Sequence, residues 1–162
     1  MHAILSSALP QPHAARSYSF DSFDKAFTMP AMEKIELVEH GVKASDFKKL
    51  VEDMGLAQEE LSRALRISVS TINRKVKRDE ILSIDESERV LNMASLIGQV
   101  SVMVAGADTH FNAAQWVASW IEQPLPALDG RRPVELLGTS SGFQMVANVL
   151  RTIWADAVRW NF

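Results

Sequence analysis

An all-α fold is predicted, a helix-turn-helix module followed by a small helical domain, and three observations carry it. Through residues 56–78 apolar side chains recur at helical spacing, and nowhere does the alternation of a half-buried strand appear over any length. Ser83 followed three positions later by Glu86 is a helix-opening pair, placed just before the uncharged run of residues 90–107. Pro124, Pro126 and Gly130 separate two further helical patterns in the last third of the chain.

Residues 1–40 read as an arm. They begin rich in Ser, Ala, Pro and His, then carry Tyr18, Phe20, Phe23 and Phe27 with weak periodicity. Residues 41–82 form the helix-turn-helix unit. A first helix is expected over residues 44–54, with Ser45 as its cap, Phe47, Leu50, Val51 and Met54 facing inward, and Gly55 ending it. In the second, Leu61, Ala64 and Leu65 share a face; in the third, Val69, Ile72 and Val76 do the same. A connecting helix is expected in residues 83–107, with Val90, Leu91, Ala94, Ile97, Val100, Met103 and Val104 on its buried side. Residues 108–162 make the last domain. There Phe111, Ala114, Trp116, Val117, Trp120 and Ile121 belong to one helix, Pro133 starts a short one, and Thr139 or Ser140 caps a final helix reaching Trp160.

Charge is distributed unevenly. The net charge is −3, yet residues 41–78 hold nine Lys and Arg against five Asp and Glu, whereas residues 79–122 hold one against seven. A polyanion is therefore attracted to one part of the molecule only. The absence of cysteine excludes disulfides, thiolate metal sites and cysteine nucleophiles, and suits a cytoplasmic protein. No secretory signal is evident at the start of the chain, and Asn92, Ser95, Gly98, Gln99 and Ser101 make the uncharged run a buried helix and not a membrane span.

The third helix of the module carries the chemistry. Opposite its apolar stripe fall Ser70, Thr71, Arg74, Lys75 and Arg78, hydroxyls and cations suited to base edges and phosphates. Arg74 and Arg78 can bond guanine in bidentate fashion or clamp phosphates, and Gln58 is placed to hold the backbone. With Ser68, Asn73 and Lys77 they make up the expected DNA-binding set. One such module binds weakly, so a homodimer reading half-sites about 34 Å apart is expected. Asp108 and His110 are the one acid and histidine close together in the C-terminal half, without nucleophile, metal set or second acid. His2, His13 and His40 lack metal-site spacing. No catalytic residue, metal or cofactor is expected.

From Ala57 onward the chain resembles the antitoxins of the Xre/MbcA/ParS type. The residues that carry this are Thr71-Ile72-Asn73-Arg74-Lys75-Val76, then Leu82-Ser83 with Ser87-Glu88-Arg89-Val90, then Ala113-Ala114 with Trp116 and Trp120. Most specific are Leu128-Asp129-Gly130-Arg131-Arg132-Pro133-Val134-Glu135-Leu136-Leu137-Gly138-Thr139 and Gly142 with Val146. The resemblance implies an operator-binding half and a toxin-binding half, the toxin being an NAD-degrading enzyme of the RES type whose active-site opening is covered. It also implies repression of the chain's own operon. The toxin contacts are then expected from Arg151, Trp154, Arg159, Trp160 and Phe162, aromatic and cationic residues at an end that would otherwise fray. Arg131 and Arg132 either join them or cap carbonyls around the Gly130 turn. Trp116 and Trp120 are assigned to the core or a dimer contact. Three features stand apart from the family pattern, one being Ala155-Asp156 near the end, where the family often has glycine. Arg66 occupies a turn position usually held by glycine, where a left-handed backbone costs about 1 kcal/mol, and the arm has no counterpart. One alternative is a free-standing helix-turn-helix regulator whose C-terminal helices only dimerise or sense a ligand; a second keeps toxin binding but gives up DNA binding, the basic helices serving assembly.

Overall fold

Helix α6 (Ile84–Val104) organises the molecule because it is buried on every side through its middle, from Val90 and Leu91 to Gln99 and Val100. The computed structural model describes residues 23–106 and 110–160. Seven more helices surround α6 among these: α1 (Phe23–Thr28), α2 (Ala31–His40), α3 (Ala44–Met54), α4 (Gln58–Leu65), α5 (Val69–Lys77), α7 (Ala113–Trp120) and α8 (Ser140–Trp160). Two 3-10 turns, Pro126–Leu128 and Pro133–Leu136, connect α7 to α8.

Part of the expected arm is therefore folded. Helix α1 crosses α6 so closely that a Cβ on Gly98 would lie 1.9 Å from the Phe23 carbonyl oxygen, so only glycine permits the crossing. This covers the side of α6 that periodicity left exposed, and Ala26 of α1 is fully buried there. Tyr18 and Phe20 lie outside the described residues.

The helix-turn-helix unit is α3, α4 and α5. Phe47, Leu50 and Met54 of α3 meet Leu61 and Leu65 of α4 and Ile72 of α5 in the common core. Ser45 does not cap α3: Lys43 holds the N-cap position without a side-chain bond, and a bridge from Lys43 to Ile81 together with the Ala44 N–H to Glu80 carbonyl bond fixes the helix start instead. In α5 the stripe is narrower than expected, for Ile72 is buried whereas Val69 and Val76 are half-buried. Gly55 ends α3 in the left-handed region, φ 67°. Arg66 ends α4 there too, at φ 53° and ψ 45°, paying the strain expected of a non-glycine residue.

Both predicted caps of the long helices form. Ser83 Oγ accepts the Glu86 N–H at 3.2 Å while Glu86 Oε2 accepts the Ser83 N–H at 2.9 Å, an arrangement that contributes about 1 kcal/mol. Thr139 Oγ1 accepts the Gly142 N–H at 3.1 Å and opens α8. Asn112 caps α7 by accepting the Gln115 N–H at 3.0 Å.

The two halves share one core. Helix α7 packs on α3, the 133–136 turn packs on α4, and buried Gln99 donates to the Ala147 carbonyl at 3.2 Å to tie α6 to α8. At Gly138 the side chain of Arg66 lies across the chain, its Nε 2.6 Å from where a Cβ would stand. No helix among the described residues is long and apolar enough to cross a membrane.

Candidate functional site

Burial of Ile72 turns the opposite face of α5 to solvent, and Ser70, Arg74, Lys77 and Arg78 are exposed on it. Ser68 caps the helix by accepting the Thr71 N–H at 3.1 Å and shares a 2.8 Å hydrogen bond with Ser70 Oγ, so both hydroxyls are oriented at the N-terminus. Thr71 is half-buried beside them. Arg74 and Lys77 form no ion pair or side-chain hydrogen bond among the described residues. Arg78 approaches Glu80 at 3.8 Å, an exposed and weak pairing.

Lys75 departs from the expected set. Its ammonium lies 3.0 Å from Glu86 Oε2, with side chains only 16% and 17% exposed. The carboxylate that closes the α6 capping box thus neutralises this lysine and turns it from the solvent face toward the start of α6. Burial works against the ionised Glu86, but the Ser83 backbone N–H and Lys75 outweigh it and hold its pKa below the ordinary carboxylate value.

On the other flank of α5, Asn73 Oδ1 accepts from Lys48 Nζ at 2.7 Å and from Gln58 Nε2 at 3.1 Å. Lys48 Nζ also donates to Gln58 Oε1. Gln58 and Asn73 belong to the expected set; Lys48 was missed, because its partner Asn73 lies 25 residues away and no local pattern links them. Between α4 and the α5 start, Arg63 and Arg66 line a shallow groove with Glu59 and Ser68.

The C-terminal candidates are spread along the second domain. Arg132 Nη1 bonds Glu122 Oε2 at 2.7 Å, and its backbone N–H donates to Glu135, so it braces the turn before α8. Arg131 is exposed in the same turn. Leu150 is the last buried residue of α8 among the described side chains, beyond which Arg151, Ile153, Val158 and Arg159 are exposed and Trp154 is half-buried. The Trp160 side chain, Phe162 and Asp108 lie outside the described residues. Trp120 is half-buried and packs against the core, whereas Trp116 is exposed; their rings stack at 5.8 Å, with Phe111 6.3 Å from Trp116. His110 is exposed. No group of three His, Cys, Asp or Glu among the described residues could hold a metal ion.

Comparison with known proteins finds two matched stretches. Residues 33–95 match the family described as the antitoxin Xre-like helix-turn-helix domain, and residues 107–153 match the antitoxin Xre/MbcA/ParS C-terminal toxin-binding domain. A protein of Sphingobium sp. (strain YBL2) named Prs ADP-ribosylating antitoxin is 38% identical over 128 residues, 78% of this chain and 80% of that one. Antitoxin Xre of Pseudomonas putida is 28% identical over 87 residues, 54% of this chain and 50% of its own. The helix-turn-helix match begins inside α2 and ends inside α6, so it takes in elements on both sides of the predicted 41–82 unit.

Proposed function

The chain belongs to the Xre/MbcA/ParS-type antitoxins, with a helix-turn-helix domain and a toxin-binding domain, and on that premise we propose that it silences an NAD-consuming RES-type toxin while repressing its own operon. It is an antitoxin and not an enzyme. The observation that carries the proposal is the division of exposed surface. The solvent face of α5 offers Ser70, Arg74, Lys77 and Arg78 to a duplex, and α8 runs ten residues beyond Leu150, where Arg151, Ile153, Val158 and Arg159 are exposed.

In this reading α8 past Leu150, with Trp154, Trp160 and Phe162 as anchors and Arg151 and Arg159 beside them, covers the toxin's active-site opening as a plug. Arg131, exposed in the turn before α8, adds a second, separate contact in this reading. Access for NAD is blocked by occupying the opening. The name of the Sphingobium relative carries ADP-ribosylation of Prs; transferred here, the toxin spends NAD as an ADP-ribose donor to a protein instead of merely hydrolysing it. Operator binding uses a homodimer in the cytoplasm, where both the promoter and NAD are found.

Co-expression with the product of the adjacent reading frame tests this. A stable complex is expected in which nicotinamide release from NAD is suppressed and returns when residues 151–162 are removed. A neighbour that neither binds nor consumes NAD would overturn the toxin half of the proposal.

A further inference from the structure

The Lys48, Gln58 and Asn73 cluster has a chemical polarity that its residue types alone do not reveal. A lysine ammonium has three N–H donors and no acceptor, so the atoms that face it must be the amide oxygens of Gln58 and Asn73. Gln58 Nε2 then points one of its hydrogens at Asn73 Oδ1 as well. Asn73 Oδ1 thus accepts twice inside the cluster and Gln58 Oε1 once. What remains is mostly donors around a positive charge, the Asn73 amide N–H pair, the second Gln58 N–H and the unused ammonium hydrogen, against one free lone pair on Gln58 Oε1. Lys48 forms no ion pair with a carboxylate among the described residues, so that charge is not cancelled at contact.

Such a surface cannot read adenine in the usual asparagine manner, which needs the amide oxygen to accept from the base amino group. It suits a ligand that offers only acceptors and negative charge. Position on the helix narrows the choice further. Asn73 precedes Arg74 by one residue and so lies about 100° around α5 from it, at the edge where the reading face meets α3 and α4. The edge of a helix lying in a groove meets the groove wall, where the sugar-phosphate backbone runs.

We infer that Lys48, Gln58 and Asn73 together form a phosphate clamp, three donors from three helices that hold one backbone phosphate of the operator and set the depth of α5 in the groove. Lys48 supplies the charge and locks the two amides with their nitrogens outward. This rests on the proposed role of α5 as the DNA-facing helix. It assigns to Gln58 and Asn73 a positioning contact without base preference, and leaves base reading to Ser70, Arg74 and their neighbours.

The test is a salt series of binding to the promoter duplex upstream of the chain's own gene, by fluorescence anisotropy, for the full chain and for Lys48→Met and Lys48→Arg. Lys48→Met is expected to weaken binding about tenfold, to make the salt slope shallower by about one, and to do so equally on every base-substituted duplex, with Lys48→Arg largely restoring both. Wild-type protein on duplexes with single methylphosphonate substitutions should show the same loss at one phosphate per half-site, a reading independent of whether Lys48→Met folds. An unchanged slope in Lys48→Met, or a changed preference at one base pair, would overturn the clamp while leaving α5 as the reading helix. Failure of the wild-type chain to bind the duplex would remove the reading helix itself, and the clamp with it.

Discussion

Helix α5 and the far end of α8 are both exposed, but for opposite reasons, and the contrast separates the two roles. The surface of α5 is defined from within: Ile72 anchors its back, Lys75 is bonded to Glu86 on one flank, and Asn73 is bonded to Lys48 and Gln58 on the other. These three contacts fix the helix with Ser70, Arg74 and Arg78 exposed, so the face proposed to meet DNA is set in the free chain. The α8 end is defined by absence of cover, since its side chains beyond Leu150 leave the core while the helix continues. Changes at Lys75 or Asn73, which fix the first region, should therefore cost stability, whereas changes at the second should leave the fold almost untouched.

Truncation after Leu150 is the sharpest way to break this comparison. It removes no buried side chain among the described ones, so toxin inhibition should vanish while the melting temperature and promoter affinity stay near wild type; a collapse of the melting transition would make the α8 end structural. The reciprocal change, Arg74→Ala with Arg78→Ala, should lower promoter affinity by about 100-fold at moderate salt, measured by gel shift, without altering toxin inhibition. Both arginines are exposed, so circular dichroism should report an unchanged fold.

Lys75 sharpens the contrast because it sits on the reading helix yet points inward. Lys75→Met leaves a mostly buried Glu86 without its cation and should cost about 2 kcal/mol in urea unfolding. With the native pKa of Glu86 lowered, its stabilisation is complete above the ordinary carboxylate range and disappears as pH falls through the lowered value. The stability difference between wild type and Lys75→Met should therefore shrink on acidification. A loss of DNA affinity larger than the loss of stability explains would instead place Lys75 on the duplex.

The smallest effect concerns Asp46 of α3. Burial raises its pKa to about 6 against the pull of Lys43 and Lys49, and its Oδ2 is buried without a hydrogen-bond partner. The folded state then holds the proton more tightly than the unfolded chain, so this residue lowers stability as pH rises from about 4 to about 6. Asp46→Asn should stabilise the protein by about 1 kcal/mol at neutral pH, a value reduced for partial solvent screening, with little change below pH 4. Equal melting temperatures at pH 7 would show that the carboxylate finds a partner in solution.

Helical period and capping chemistry made α3 to α8 legible, because Phe47, Leu50, Leu61 and Ile72, and the Ser83–Glu86 pair, express local geometry in residue spacing. The coverage of α6 by α1 was not legible. It depends on the absence of a side chain at Gly98 and on a segment far away in sequence. In the candidate site, the outward hydroxyls and guanidinium groups of α5 follow from its apolar stripe. The fates of Lys75 and Lys48 do not, since a lysine's partner is selected by tertiary approach and its long side chain can reach either flank.

Hydrogen–deuterium exchange on the full chain, alone, with the promoter duplex and with the co-purified toxin, tests the division of surfaces most directly. Protection confined to α3 through α5 is expected from the duplex, and protection confined to α8 and the 131–136 turn from the toxin, with both patterns present in the ternary mixture. Toxin protection of the α5 face, or a duplex that protects α8 and not α5, would contradict it.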